Sequence, residues 1–293
     1  MGAAGHQGEH VARHLDDLDL GGECRRAGTY ICNAAQTGAV CNAATAGAPT
    51  TETCNNRDDN CNGLVDDAIP LASIPTVRIP RRSAAGFVDV MQYEASRADA
   101  TTTTQGSASR VACSTSNVVP WTTVTWTDAS AACCALNASG TCGATGWNLC
   151  EAADWTAACQ GPGYGGPPLN YCAWSYGAGA TCRTSSSVRC NGDEYDSDAV
   201  TAGDQDSLSN TGSPTCPLCY TDWTGTAAGR VYDLGGNVKE WTNTVPPASA
   251  GVHYIRGGSY NNVEAGRTCQ FDFPVAANNF AFPNTGFRCC YYE

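Results

Sequence analysis

The stretch "VYDLGGNVKEW", residues 231–241, places two acidic residues on either side of a tight turn. Asp233 and Glu240 bracket a Gly-Gly-Asn sequence, and apolar residues flank both ends. Glycines let a turn bring its backbone carbonyls close to a ligand, and carboxylates combined with carbonyl oxygens suit calcium. The two acids could instead be a catalytic pair or part of an ordinary polar loop. The remainder of the chain decides between these alternatives.

The composition favours an irregular, loop-rich protein over a helical bundle. The 293 residues include 32 glycines and 14 prolines, which interrupt helices and strands. The formal net charge is −12, because 28 acidic residues outnumber 16 basic ones. Nucleic acids and anionic membranes would repel such a protein, so we expect neither as a partner. Cations are the natural counterpart of this charge.

Nineteen cysteines at irregular spacing indicate a disulfide network formed in an oxidising compartment. Because the number is odd, at least one cysteine is unpaired or bonds to another chain. We therefore predict a secreted or cell-surface protein. No stretch approaches the ~18 consecutive apolar residues of a membrane span. Residues 1–20 lack the apolar core of a secretory signal, so we expect a processed or trimmed start.

The chain divides by composition into four parts. We predict a polar tail at residues 1–20, a cysteine-rich module at 21–69, a proline-punctuated linker at 70–80 and a main domain at 81–293.

Within the main domain, two stretches have apolar residues at helical spacing, "WTDASAACCALN" from Trp126 and "CEAADWTAAC" from Cys150. Short aromatic and β-branched runs predict strands in "AGFVDVMQYEA", "VHYIRGGSY" and "GFRCCYY". Residues 160–230 show almost no periodicity, so we expect disulfides or bound ions to hold them in place.

A calcium-binding loop is predicted in "RDDNCNGLVDD", within the cysteine-rich module. Oxygen-bearing residues alternate around Gly63 with the spacing of EF-hand positions 1, 3, 5, 7 and 9. The predicted ligands are Asp58, Asn60, Asn62, the Leu64 carbonyl and Asp66. Ile69 stands where the closing acid belongs, so Glu52 or Asp67 would complete the shell. The longer stretch "ETCNNRDDNCNGLVDD" resembles the metal-binding repeat of MopE-like bacterial surface proteins. Copper is not expected here, because a soft or nitrogen-rich ligand set is absent.

Three further patterns are weaker candidates for chemistry. "HQGEH", residues 6–10, has the spacing of a zinc-protease motif, but Gly8 interrupts the helix it needs. "CPLC", residues 216–219, has the spacing of a redox pair, but its loop-like flanks favour a structural disulfide role. Acid-base roles are conceivable for Glu94 with Arg97, Asp154 with Trp155 and Asp272 with Arg288, yet structural roles are the default.

The main domain resembles the formylglycine-generating enzyme/sulfatase-modifying-factor family. The motifs occur in the family's order, namely "YEAS", "WTDASAAC", "NLCEAADWTAAC", "YDLGGNVKEWT", "RGGSY" and "NTGFR". The pair "D-x-x-G-N-V-x-E-W" and "R-G-G-S" is specific, and the resemblance spans roughly residues 81–293. It implies an α+β, C-type-lectin-like fold with little regular secondary structure and with bound calcium.

The resemblance implies two calcium sites in the main domain. The first would use the carboxylates of Asp233 and Glu240 with the backbone carbonyls of Gly236 and Val238. The second would lie near "RCNGDEYDSD", with Asn191 as a ligand and Gly192 offering its carbonyl. The acid that completes the second shell stays open among Asp193, Asp196, Asp204 and Asp206.

Copper-dependent catalysis is not expected, because the family's two copper cysteines correspond here to Asn262 and Arg267. Neither is a thiolate, which Cu(I) strongly prefers. A two-histidine iron site is not expected either, since His253 is the only histidine of the domain. The resemblance therefore favours a non-catalytic, calcium-stabilised binding or scaffold protein.

The C-terminal segment from residue 261 to 284 would line the binding surface, with Ser259, Tyr260, Asn262 and Arg267 at its centre. The expected partner is an extracellular protein or a glycan. Two alternatives remain. One is a diverged oxidoreductase that acts on a protein cysteine, and the other is a variable ligand-binding protein with a C-type-lectin-like fold.

Overall fold

A computed structural model describes the chain in several stretches. These are residues 30–32, 37, 39–41, 48–162, 177–178, 181–182, 189–196, 198, 200–203, 205–247, 249–271 and 276–293. The regular structure of this part consists of two α-helices, many short strands and a few 3₁₀ turns. The fold is thus α+β with little regular secondary structure, as the sequence predicts.

The helices are α1 (Trp126–Cys134) and α2 (Ala152–Gln160). The strands are β1 (Tyr30–Cys32), β2 (Ala39–Cys41), β3 (Thr76–Pro80), β4 (Phe87–Met91), β5 (Ala95–Ser96), β6 (Cys113–Ser114), β7 (Gly146–Leu149), β8 (Gly177–Ala178), β9 (Thr181–Cys182), β10 (Tyr220–Asp222), β11 (Arg230–Tyr232), β12 (Lys239–Trp241), β13 (Val252–His253), β14 (Ile255–Arg256), β15 (Ala276–Ala277), β16 (Thr285–Phe287) and β17 (Cys289–Tyr292).

Both predicted helices form. The Thr125 side chain caps α1 by accepting a hydrogen bond from the Asp128 N–H at 3.1 Å, and the Asp128 carboxylate lies in the first turn. Both features stabilise a helix N-terminus. Almost every side chain of α2 is buried, including that of Trp155. Packing on all sides, rather than one apolar face, therefore stabilises this helix.

Two small sheets position the site. The first has the order β3-β4-β17-β7 and is entirely antiparallel. The second has the order β14-β12-β16, with β12 parallel to β16. Because β16 and β17 are separated only by Arg288, that residue lies at the junction of the two sheets.

The stretch predicted as a linker contributes a strand to the first sheet. β3 pairs with β4 along its whole length, from Thr76 opposite Met91 to Pro80 opposite Phe87. Val77 and Ile79 alternate into the core, which is the period-two pattern of a half-buried strand. Proline is tolerated here because β3 is an edge strand. Residues 76–80 therefore belong to the main domain.

Neighbouring cysteines on β17 face opposite sides of the sheet, as successive residues of a strand must. Cys289 bonds to Cys133 of α1, and Cys290 bonds to Cys150 just before α2. The other bonds between described cysteines are Cys54–Cys113, Cys134–Cys142, Cys159–Cys269 and Cys190–Cys219. The first of these joins the cysteine-rich module to the main domain. In the described part of the chain, no helix is long and apolar enough to cross a membrane.

The disulfides should differ in their effect on stability. Cys150–Cys290 closes a sequence separation of 140 residues, and Cys134–Cys142 closes one of 8. Since a longer loop restricts the unfolded chain more, the paired alanine variant of the first should lose about 5 kcal/mol and that of the second about 2.5 kcal/mol. Urea unfolding of both variants tests this order, and equal losses would contradict it.

Candidate functional site

The turn of residues 231–241 is pressed against a second segment. Asp233 and Asn237 have φ angles of 63° and 65°, in the left-handed region that aspartate and asparagine tolerate better than most residues. A Cβ added to Gly236 would collide with the carbonyl oxygen of Asn191. Gly236 therefore permits the close approach of two backbones, and it brings the two predicted calcium sites side by side.

Glu240 forms a fully buried ion pair with Arg288. Its carboxylate accepts hydrogen bonds from Nε of Arg288 at 2.7 Å and from Nη2 at 2.6 Å. The indole Nε1 of Trp155 donates a third bond at 2.7 Å. Such forked contacts are the strongest kind that an arginine makes. The observed role of Glu240 is thus to hold Arg288, and its coordination of calcium stays a prediction.

Two further carboxyl groups lie beside this ion pair. Asp233 is buried and accepts the Gly212 N–H at 2.5 Å. Burial raises the pKa of Asp233 to about 7. Glu94 accepts bonds from the Asn237 side chain at 2.7 Å and from the Val238 N–H at 3.2 Å. Burial, with the charges of Asp233 and Glu240, raises the pKa of Glu94 well above its usual range.

We call Glu94, Asp233, Glu240 and Arg288 the acidic cluster, and the sequence predicted only part of it. Glu94 contacts Asn237 rather than Arg97, whose guanidinium stacks on Trp121 instead. Arg288 contacts Glu240, while Asp272 lies outside the described residues. The signal that could have identified Glu94 and Arg288 was their position inside "YEAS" and "NTGFR", two of the motifs that define the domain.

Asn191 presents a buried amide oxygen that receives no hydrogen bond. Its side-chain NH₂ donates to the Ser207 carbonyl at 2.8 Å and to the Asn237 amide oxygen at 3.0 Å, but Oδ1 has no donor. Such an oxygen is costly unless a cation or a water satisfies it. The Gly192 carbonyl, predicted as its companion ligand, accepts the Tyr195 N–H within a turn at 2.8 Å.

The resemblance implies copper cysteines at the positions of Asn262 and Arg267, and both side chains make hydrogen bonds within the fold. Arg267 is fully buried, and it donates to the Cys190 carbonyl at 3.1 Å and to the Glu194 carboxylate at 2.8 Å. The Asn262 amide oxygen accepts the Ser259 N–H at 3.0 Å and the Ser259 hydroxyl at 2.7 Å.

The burial of Ser259 and Arg267 corrects the prediction that they belong to the binding surface. Both have 0% of their surface exposed, so neither can touch a macromolecular partner. Tyr260 and Asn262 are partly exposed. Ser259 and Arg267 thus lie below the surface, and contact partners do not reach them.

A group of exposed apolar side chains lies on the same C-terminal segment. Val263 and Phe282 each expose 53% of their surface and Phe280 exposes 37%. The two phenylalanine rings stack at 5.6 Å, and Phe280 also packs edge-on against the buried Trp241. Asn284 links this group to Asn261 by a side-chain hydrogen bond of 2.9 Å. We call Tyr260, Asn262, Val263, Phe280 and Phe282 the C-terminal face.

The predicted EF-hand-type loop has a fold typical of such loops at its start. Asp58 accepts hydrogen bonds from the N–H groups of Asn62 at 3.2 Å and Gly63 at 2.9 Å. Asn60 accepts the Asn62 N–H at 3.0 Å. The exposed Leu64 donates its N–H to the Asn62 amide oxygen at 2.8 Å.

The end of this loop departs from the expected arrangement. Asp66 turns towards the preceding segment and accepts the N–H groups of Asn55 and Asn56 at 2.9–3.0 Å. Glu52 lies beside the loop, since one of its oxygens accepts the Asn60 N–H at 2.7 Å and the other is buried without a donor. Of the two acids proposed to complete the shell, Glu52 therefore has an oxygen to spare.

The remaining motifs are described only in part. Residues 6–10 lie outside the described part of the chain. In "CPLC" the two cysteines are not bonded to each other, because Cys219 pairs with Cys190 and Cys216 is a free, buried thiol. Burial raises the pKa of Cys216 to about 11, the opposite of what an active redox thiol requires. Within the described stretches, no three His, Cys, Asp or Glu side chains are placed to hold a metal together.

One protein family and several solved structures are similar to this chain. The family described as "Sulfatase-modifying factor enzyme 1-like domain" matches residues 73–292. No match was found among curated proteins. Among solved structures, CarF is 17% identical with a TM-score of 0.46, covering 75% of this chain and 98% of its own. PvdO from Pseudomonas aeruginosa is 14% identical with a TM-score of 0.43, covering 71% and 82%. Treponema denticola variable protein 1 is 18% identical with a TM-score of 0.39, covering 60% and 72%.

The family match covers three quarters of the chain, including Glu94, Asp233, Glu240 and Arg288 and the C-terminal face. This chain belongs to the sulfatase-modifying factor enzyme 1-like family.

Proposed function

We propose that this chain is a non-catalytic binding protein, secreted or on a cell surface and stabilised by calcium, which recognises an extracellular protein or a glycan. The observation that carries the proposal is the buried Arg267, which stands where the resemblance places a copper cysteine. A guanidinium cannot replace a thiolate as a ligand for Cu(I). Cys269, two residues further on, is consumed by its bond to Cys159.

The charges of the acidic cluster support a bound cation. Glu94, Asp233 and Glu240 are buried around one guanidinium, that of Arg288. Buried charge is costly unless it is paired, and three carboxylates exceed one arginine. Calcium held by Asp233 and Glu240 with the carbonyls of Gly236 and Val238, and a second calcium held by Asn191 with the Gly192 carbonyl, would balance this excess. Calcium would supply charge neutralisation and rigidity here.

A location outside the cell is supported by the disulfides. Six disulfides join described cysteines to each other, several of them fully buried, and such networks persist in oxidising compartments. The C-terminal face supports binding, because clustered exposed apolar side chains with polar neighbours mark interaction surfaces.

The absence of copper-dependent catalysis can be tested directly. We expect the purified protein to bind no stoichiometric Cu(I) and to consume no oxygen when a cysteine peptide is added. Cuprous titration and oxygen-electrode measurements give the two readouts, with a copper-binding member of the family as the positive control. Stoichiometric copper together with turnover would establish the diverged oxidoreductase instead.

The calcium claim predicts a particular dependence on pH. In chelator, the folded state holds a proton on Asp233 up to about pH 7, whereas the unfolded chain releases it near the ordinary value of 3.8. The folded state binds more protons in this window, so the contribution of Asp233 to stability falls as pH rises, by on the order of 4 kcal/mol. Calcium should remove this loss and raise the melting temperature by several degrees at neutral pH.

Asp233→Asn is the matched control, since asparagine has the same shape and tolerates the left-handed backbone. In chelator it should flatten this part of the pH profile and melt higher than the wild type at neutral pH. It should also lose the calcium effect, while Asp58→Asn in the separate loop keeps it. Identical wild-type melting in calcium and chelator would remove the basis for the claim.

We expect the partner to bind at the C-terminal face. We expect Phe282→Ser to weaken binding to a partner selected from arrayed glycans and extracellular proteins by roughly tenfold or more, because exposed aromatic anchors dominate interfaces. Phe87→Ser is the matched control, since Phe87 is similarly exposed at 46% but lies on β4. Equal losses in both variants, or no binding to either array, would count against this surface.

A further inference from the structure

Three cysteines outside the acidic cluster pack together in one buried group. Cys190, Cys216 and Cys219 expose 0%, 3% and 1% of their surface and contact one another, with Tyr195 against them. Cys190 and Cys219 are bonded, and Cys216 is the free cysteine of the described residues. We call these residues the sulfur cluster. A disulfide with a thiol packed against it has three possible pairings, the present one and the two that form when the thiol attacks either sulfur.

The backbone favours a second partner for Cys219. The Cys219 N–H donates to the Cys216 carbonyl at 3.0 Å, which closes a tight turn between them. The first and fourth residues of such a turn have Cα atoms less than about 7 Å apart, within the usual reach of a disulfide. Cys216 and Cys219 can therefore bond with little movement of the chain.

We propose that the sulfur cluster is a thiol–disulfide exchange centre. Burial keeps Cys216 protonated at neutral pH, so the exchange takes place in alkaline solution. There the Cys216 thiolate attacks Sγ of Cys219, so that the Cys216–Cys219 bond forms while the Cys190–Cys219 bond breaks. Cys190 leaves as the thiolate and takes up the proton that Cys216 released. The step exchanges one disulfide for another within the chain, so it needs neither an oxidant nor a reductant.

The exchange acts on the segment that supports the C-terminal face. In the present pairing, Cys190 is tied to the turn at 216–219, and its carbonyl accepts a hydrogen bond from Arg267. The same segment supplies Glu194, the ion-pair partner of Arg267. Release of Cys190 removes the covalent bond between this segment and the turn at 216–219. This consequence rests on the proposed binding function, whereas the exchange itself does not.

The experiment locates the free thiol in the full-length protein. The protein is held at alkaline pH without added thiol, quenched with acid, alkylated and digested. An aspartate-directed protease is required, because it cuts between Cys190 and Cys216, where the chain has no lysine or arginine. We expect a loss of label at Cys216 matched by an equal gain at Cys190. Label that stays on Cys216 under all conditions would overturn the proposal.

Two variants make the result independent of folding yield. Cys190→Ser should contain a Cys216–Cys219 bond and no free thiol at either position, and two free thiols there would also overturn the proposal. Cys216→Ser should keep Cys190–Cys219 and show no label at Cys190 under the same treatment. Since Cys216→Ser locks the present pairing, its binding through the C-terminal face should equal that of the wild type, and this is measured separately from exchange.

Discussion

The buried guanidinium of Arg288 joins three strands of the fold, β4, β11 and β12. It donates to both oxygens of Glu240, to the Met91 carbonyl at 3.0 Å and to the Tyr232 carbonyl at 2.9 Å. These partners lie at the ends of β4 and β11 and within β12. Removing one partner of such a pair would leave a buried charge uncompensated, which is strongly destabilising. The satisfied pair therefore fixes how the two sheets and the turn of residues 231–241 meet.

Three buried carboxyl groups, those of Glu94, Asp233 and Glu240, share the single guanidinium of Arg288. Glu240 takes the strongest contacts, so Glu94 and Asp233 are stabilised mainly by amide donors, and burial keeps protons on them more firmly than in water. The group can reduce its excess charge in two ways, by holding protons or by holding a cation. The amide oxygen of Asn191, which accepts no hydrogen bond, lies beside this group, because Asn237 bonds both to Asn191 and to Glu94.

Local sequence patterns predicted the elements but not their partners. The helical spacing gave α1 and α2, and the β-branched runs gave β4, β16 and β17, because each pattern is contained within about ten residues. Residues 76–80, predicted as the end of a linker, form β3, because Pro75 and Pro80 on either side concealed the alternation of Val77 and Ile79. The pairs Glu94–Val238 and Glu240–Arg288 span 144 and 48 residues, and no periodicity encodes contacts at such separations. The family motifs supplied this information only in part.

The buried Arg267 places requirements on its neighbours. A fully buried guanidinium needs acceptors, and Glu194 and the Cys190 carbonyl supply them from a segment that is otherwise irregular. It also needs space, since a Cβ on Gly192 or Gly258 would collide with its side chain. Cys190 and Glu194 precede Arg267 by 77 and 73 residues, so local sequence patterns could not predict these contacts. Arg267 therefore joins two segments that are far apart in the sequence, and the ion pair with Glu194 fixes the segment that follows Ser259.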